Sequence, residues 1–388
     1  LRVTDSNFET RFLSSEYTQV AATASNSDNK YVKTLRFSVD PSRMETDEAQ
    51  AAIAQAAQIL RAGGLVALPT ETVYGLGANA LDAAAVTRIF LAKQRPSWDP
   101  IIVHIAGPVH RNPMLEQLVT KCPPVVRGLM EAFWPGPLTM LLPRSEAVPD
   151  VVTAGRPLVG IRMPAHPVAF EIIRQAGVPI AAPSANVFGH ISPTTAAHVL
   201  EDLDGKIDAV VDAGPTRHGV ESTVLDPMQS PMMIYRPGAI TAQQIREVAG
   251  PVDYFEERML PDNSLREALP SPGIGLRHYA PRARLILVEG SLAELPARLA
   301  DAADRYAKDR LGVMLPVELA HTKFEPPLRG AAEFPWGHWN APEELAEKLY
   351  AGLRALDAEG CTVILCPLPQ GAGIGEAIRD RLRKASHT

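Results

Sequence analysis

From Thr46 onward the chain alternates short apolar runs, several of them ended by proline, with segments of helical period. That alternation confines it to α/β architectures. LVALP (65–69), IIVHIA (101–106), LTMLLP (138–143), LVGIRMP (158–164), PIAAP (179–183) and DAVVDAG (208–214) read as buried strands. Asp47, with Gln50 three residues on, forms a capping pattern ahead of Ala52, Ile53, Ala56, Ile59 and Leu60, and Gly63 and Gly64 stop that helix. Further helices are expected over 82–93, 124–134, 166–175, from near Pro193, and over 241–249. STVLD (222–226) and MMIYRPG (232–238) read as strands joined by a turn. Strand pairs with no helix between them predict a mixed, twisted sheet.

The alternation resumes later, with strands at 284–288, 311–315 and 361–368 and helices over 292–308, 342–358 and 375–384. This predicts a smaller Rossmann-like parallel α/β domain. The expected division is an extension over 1–45, a first domain over 46–250, a linker over 251–282 and a second domain over 283–388. Residues 1–40 are rich in Ser, Thr and Asn, lack the apolar run of a signal peptide, and carry Asp5, Glu9 and Glu16, unlike a transit peptide. SPGIGLRHYAP (271–281) has the Pro and Gly of a linker, yet also Arg277, His278 and Tyr279. Such side chains suit a lid over a site, or the docking of the second domain.

Apolar residues make up 46% and charged residues 21%, which excludes wholesale disorder. No eighteen-residue apolar stretch suggests a membrane span. A net charge of −6 argues against a protein that coats nucleic acid, and no stable DNA binding is expected. Three cysteines, Cys122, Cys361 and Cys366, cannot build a disulfide framework or a four-cysteine zinc site, and the plain expectation is a reducing, cytoplasmic setting.

Four clusters could carry chemistry. PTETVYGLG (69–77) places hydroxyls, a carboxylate and two glycines just past a strand end, although an ordinary strand-to-helix turn has the same composition. Lys93, Arg95, Asp99 and His104 follow. A Lys-x-Arg pair before proline can bracket phosphate or carboxylate, and it also suits a helix C-terminus. His104 sits in an apolar strand, where histidine is more often packed than catalytic. PSAN (183–186), with Ser192 and Thr194, offers hydroxyls at a helix start, a place for anions and equally for caps. Arg162 in GIRMP and Arg236 beyond Glu221 and Ser222 are charges in apolar strands and need anionic partners, from a ligand or from the protein.

Gly371, Gly373 and Gly375 imitate a dinucleotide fingerprint, but Glu376 occupies the third glycine position and no ribose-binding acid follows. Together the clusters describe a cleft that works by positioning anions, as phosphoryl or nucleotidyl transfer does.

PTETVYGLG, KQRP with DPIIVHI, FWPGPLT, GIRMP, PSAN with SPT, ESTV and YRPG occur in the order found in YrdC-like domains. With SPGIGLRHYAP and the second domain, the chain from about residue 46 resembles the two-domain threonylcarbamoyl-AMP synthases. The resemblance implies a YrdC-like twisted sheet with an open basic cleft. It implies a nucleotidyltransferase that joins L-threonine, bicarbonate and ATP, with Mg²⁺ carried by ATP rather than by protein side chains. The product feeds other proteins that transfer the threonylcarbamoyl group to position 37 of tRNAs reading ANN codons. Carried over by position, Thr72, His104, Arg162, Ala182 and Ser222 resemble threonine-site residues. Arg95, Asp99, Leu158, Ser184, Asn186, Ser192, Arg236 and Tyr279 resemble ATP-site residues, and Lys93 and Arg95 the catalytic pair. Many members carry Asn at the position of Asp99. A carboxylate beside a triphosphate repels it unless it binds magnesium.

The competing reading is an RNA-binding YrdC-like module in RNA or ribosome maturation. The chain shows no stacking pattern of aromatics for RNA and keeps the Lys, Arg, Ser and Asn positions together, which favours the enzyme.

Overall fold

A computed structural model describes residues 33–256, 279–325, 327–328 and 330–387. Its larger sheet has eleven strands: β1 (Leu35–Ser38), β2 (Val66–Leu68), β3 (Gly75–Asn79), β4 (Val103–His104), β5 (Leu138–Pro143), β6 (Leu158–Arg162), β7 (Ile180–Ala181), β8 (Ala209–Asp212), β9 (Thr223–Asp226), β10 (Met232–Arg236) and β11 (Val252–Tyr254). They lie side by side in the order β1-β8-β2-β3-β7-β4-β6-β5-β9-β10-β11. The pairs β1/β8, β2/β8, β4/β6, β5/β9 and β10/β11 are parallel and the others antiparallel, so the sheet is mixed.

The smaller sheet, β12 (Arg284–Val288), β13 (Leu311–Pro316), β14 (Ala332–Gly337) and β15 (Val363–Pro367), runs in the order β12-β15-β13-β14 and is parallel throughout. The helices Leu295–Arg305, Pro342–Ala358 and Gly375–Ser386 cover it.

Three local details depart from expectation. Residues 35–38 are not extension: β1 pairs with β8, Leu35 opposite Ala209, so the first sheet begins ahead of residue 46. β1 is an edge strand with mostly exposed side chains, and such a strand has no apolar pattern to read. The first helix, Asp47–Arg61, is capped by Thr46, whose hydroxyl accepts from Ala49 N, while Gln50 donates to Met44 O at 2.7 Å. Finally, β2 is followed by the strand β3, over residues where no strand was expected. β3 carries Gly77 between Ile180 and Val66, where a β-carbon would lie 2.9 Å from Ile180 Cγ2.

The two domains share buried surface. Val73, Ile191, Val220 and Tyr279 belong to the same apolar cluster as Leu345, Leu349, Tyr350 and Ile378 of the second domain. Arg354 reaches back to pair with Glu201 at 2.9 Å and Asp202 at 3.0 Å. Residues 271–278 of the expected lid lie outside the described residues. Beyond them Tyr279 is buried and Ala280 N donates to Gly189 O at 2.9 Å. Among the described residues no helix is long and apolar enough to cross a membrane.

Candidate active site

The ends of β2, β4, β6, β9 and β10 converge on one cleft. Its walls include Thr72, Arg95, His104, Arg162, Ser184, Ser222, Arg236 and Tyr279, all expected from sequence, together with Glu221. Lys93, Asp99, Leu158, Ala182, Asn186 and Ser192 are not in that wall, and each has a separate place behind it or beside it.

Arg162 ends β6 and is buried. Its Nη1 donates to Thr72 Oγ1 at 2.9 Å, its Nε donates to Gly136 O at 3.2 Å, and its Nη2 stands 2.5 Å from Glu71 Oε1. Burial alone would raise the Glu71 carboxyl, but Arg162 outweighs it and holds the acid below its usual range. His104, directly opposite Arg162 in the β4/β6 ladder, is pushed down to about 3, first by burial and then by Arg162. It is therefore a neutral imidazole, with a buried Nδ1 that has no hydrogen-bond partner among the described residues. Ala182, at the end of β7, donates its N–H to Ile102 O, and its methyl would sit 3.3 Å from a β-carbon at Gly75.

Arg95 pairs with Asp99 at 2.9 Å and donates to the carbonyls of Asp99 and Pro100. The Asp99 charge, unexpected beside a polyanion, is thus answered by Arg95. Lys93 departs from its expected place. Its Nζ is buried and donates to Ser184 O at 2.6 Å and to Asn186 O, so it supports the 184–186 loop from behind. Burial, followed by the Arg95 charge, lowers its pKa well below that of an ordinary lysine. Asn186 donates to Val187 O and His190 O, bracing the same loop. Leu158 is half-buried and packs with Ile102, Leu141 and Val224 at the cleft's apolar edge.

On the far side, Ser222 Oγ shares a hydrogen bond of 2.8 Å with Thr139 and accepts from Arg236 Nη2 at 3.1 Å. Arg236 Nε donates to Ser222 O. Ser192 Oγ donates to Glu221 Oε1 at 2.6 Å. Tyr279 stacks on Tyr350 with ring centres 5.8 Å apart, and the Arg381 guanidinium lies over the Tyr279 ring, 5.3 Å from its centre. Sequence reading passed over Tyr350 and Arg381, because each looks like an ordinary residue of a second-domain helix. It noted Glu71 and Glu221 only as neighbours. Their signal was a carboxylate inside an otherwise apolar or hydroxyl-rich run, where a buried partner is required.

Three buried arginines from separate elements, interleaved with hydroxyls at strand ends, line the cleft of a two-domain α/β protein. A family model described as "Telomere recombination" matches residues 58–238, and one described as "Threonylcarbamoyl-AMP synthase, C-terminal domain" matches residues 240–387. The chain belongs to the threonylcarbamoyl-AMP synthase family, whose members are enzymes.

It is 43% identical over 359 residues to threonylcarbamoyl-AMP synthase of Bacillus subtilis, covering 92% of this chain and 98% of that protein. With the Pyrococcus abyssi synthase it shares 42% over 335 residues, 85% of this chain and 93% of the other. The crystal structure of P. abyssi Sua5 complexed with L-threonine superposes with a TM-score of 0.81 at 40% identity, covering 91% of this chain and 98% of that one.

Proposed function

We propose that the cleft makes threonylcarbamoyl-AMP from L-threonine, bicarbonate and ATP, releasing pyrophosphate. The observation that carries this reading is the convergence of Arg95, Arg162 and Arg236 on one cleft with Thr72, Ser184 and Ser222 between them. Arg162 takes the threonine carboxylate as a fork from β6. Thr72, neutral His104 and Ser222 stand where they can hydrogen-bond the substrate's hydroxyl and amine. The neutral amine and bicarbonate give a carbamate and water. A carbamate oxygen then bonds to the α-phosphorus as the bond to the β-phosphate oxygen breaks. Arg95 and Arg236 stabilise the charge on the phosphates, and Ser184 lines their path. Lys93 and Asn186 contribute by holding the Ser184 loop.

Mg²⁺ enters with the triphosphate. Among the described residues no three His, Cys, Asp or Glu side chains are arranged to hold a metal, and Asp99 is occupied by Arg95. The adenylate then passes to other proteins that modify position 37 of tRNAs reading ANN codons, in the cytoplasm.

The test is pyrophosphate release by the full chain with ATP, threonine and bicarbonate, each omitted in turn. Release that needs all three supports the reading. Release independent of threonine or bicarbonate refutes it.

A further inference from the structure

Glu221 is the only acid among the described residues that line the cleft. A carboxylate there opposes the binding of any polyanion, and it lines the same cleft as Arg236, next in sequence to the Ser222 that Arg236 holds. The hydrogen bonds of Arg236 nevertheless go to Ser222, through Nε and Nη2. Glu221 turns the other way. Its Oε2 accepts from Arg381 Nε at 2.7 Å and from the Tyr350 hydroxyl at 3.0 Å, both in the second domain. Its Oε1 accepts from Ser192 at 2.6 Å. Arg381 is itself buried and is held on its far side by Asp380 at 2.5 Å. The same Arg381 and Tyr350 pack against Tyr279.

We propose that Arg381, with Tyr350, is a positioning residue for the nucleotide site. By drawing Glu221 toward the second domain it leaves Arg236 to the phosphates and keeps Ser192 and Tyr279 in place. The second domain thereby completes a binding site that the first domain cannot finish alone. The inference rests on the reading of the cleft as an ATP site.

The experiment uses the full chain and pyrophosphate release, with ATP and threonine varied separately. Arg381→Met keeps length but removes the charge, freeing Glu221 to turn to Arg236. The KM for ATP should rise about tenfold or more, as for removal of one partner of a buried pair, while that for threonine stays within about twofold. Adding Glu221→Gln to Arg381→Met should return the KM for ATP to within about threefold of the starting protein, because an amide has no charge with which to claim Arg236. A purely structural Arg381 would shift both constants, and the second change would not rescue either. Tyr350→Phe removes one hydroxyl and keeps the ring on Tyr279, so it tests the same contact if Arg381→Met does not fold. Its expected rise is about threefold. An unchanged KM for ATP in these variants, or no rescue by Glu221→Gln, overturns the proposal. If the starting protein itself shows no ATP-dependent release, the ATP reading fails and takes this one with it.

Discussion

Glu71 and Arg162 form a buried ion pair, 2.5 Å apart, directly behind Thr72. The carboxylate answers the charge of the buried guanidinium, which lines the cleft. Arg162→Lys keeps the charge but loses the fork. The KM for threonine should rise about 30-fold, the cost of a lost charge-assisted bond, while that for ATP changes little. Initial-rate titration of each substrate checks this. Glu71→Ala strands the arginine and should remove about 3 kcal/mol of stability, read by urea unfolding.

Selection for threonine over valine should follow from the hydroxyl-rich wall. A site that hydrogen-bonds a substrate hydroxyl leaves its own polar groups unpaired when the analogue lacks it. With Thr72, His104 and Ser222 facing the cleft, valine should be used at least about a hundredfold less efficiently. Comparable pyrophosphate release with the two amino acids would remove this assignment.

Lys93→Ala should lose turnover and also stability. The ammonium bonds the buried Asn186 carbonyl and the partly buried Ser184 carbonyl, and leaving them unpaired costs about 2 kcal/mol. Arg95→Ala should lower turnover strongly as well, with Asp99 left as an unanswered buried charge. Kinetics paired with urea unfolding of each variant separate the two effects. A Lys93→Ala protein with normal stability and only a kinetic defect would return Lys93 to the cleft itself.

Acid should weaken the fold through His104. Its folded pKa of about 3 lies below the ordinary 6.5, so the unfolded chain takes up a proton that the folded one refuses. The contribution is whole above about pH 6.5 and is lost as pH falls toward 3, at up to about 1.4 kcal/mol per pH unit. His104→Gln should flatten that part of the stability profile. Urea midpoints measured in steps from pH 7 to about pH 4 test it, and parallel profiles for the two proteins would contradict it.

How much was legible depends on whether the cause lay nearby in the chain. β5 and β12 fall at 138–143 and 284–288, where apolar-rich runs announce strands, and the helix Pro342–Ala358 fills its expected span. β14 was not foreseen, because Pro335 interrupts AEFPWG, and the strand survives because it lies at a sheet edge. Arg162 and Arg236 stood out as charges in apolar strands, and Arg95 as half of a Lys-x-Arg pair before proline. Arg381 did not, since in GEAIRDRLRK it looks like one more cation on a polar helix. Its partner Glu221 is 160 residues away, and only the docking of the domains joins them.

Gly219, with φ of +67°, lies against the backbone of the helix Pro342–Ala358, and a β-carbon there would sit 2.6 Å from Glu347 O. No side chain intervenes, so the halves meet main chain to main chain at that point. Modular exchange is therefore restricted. A chimera carrying another relative's second domain must bring a helix of the same trajectory, along with the arginine and tyrosine that meet Glu221. Any residue larger than glycine at position 219 wedges the halves apart at the seam beside the cleft. The two domains can diverge freely on their outer faces, but along this seam they are bound to change together.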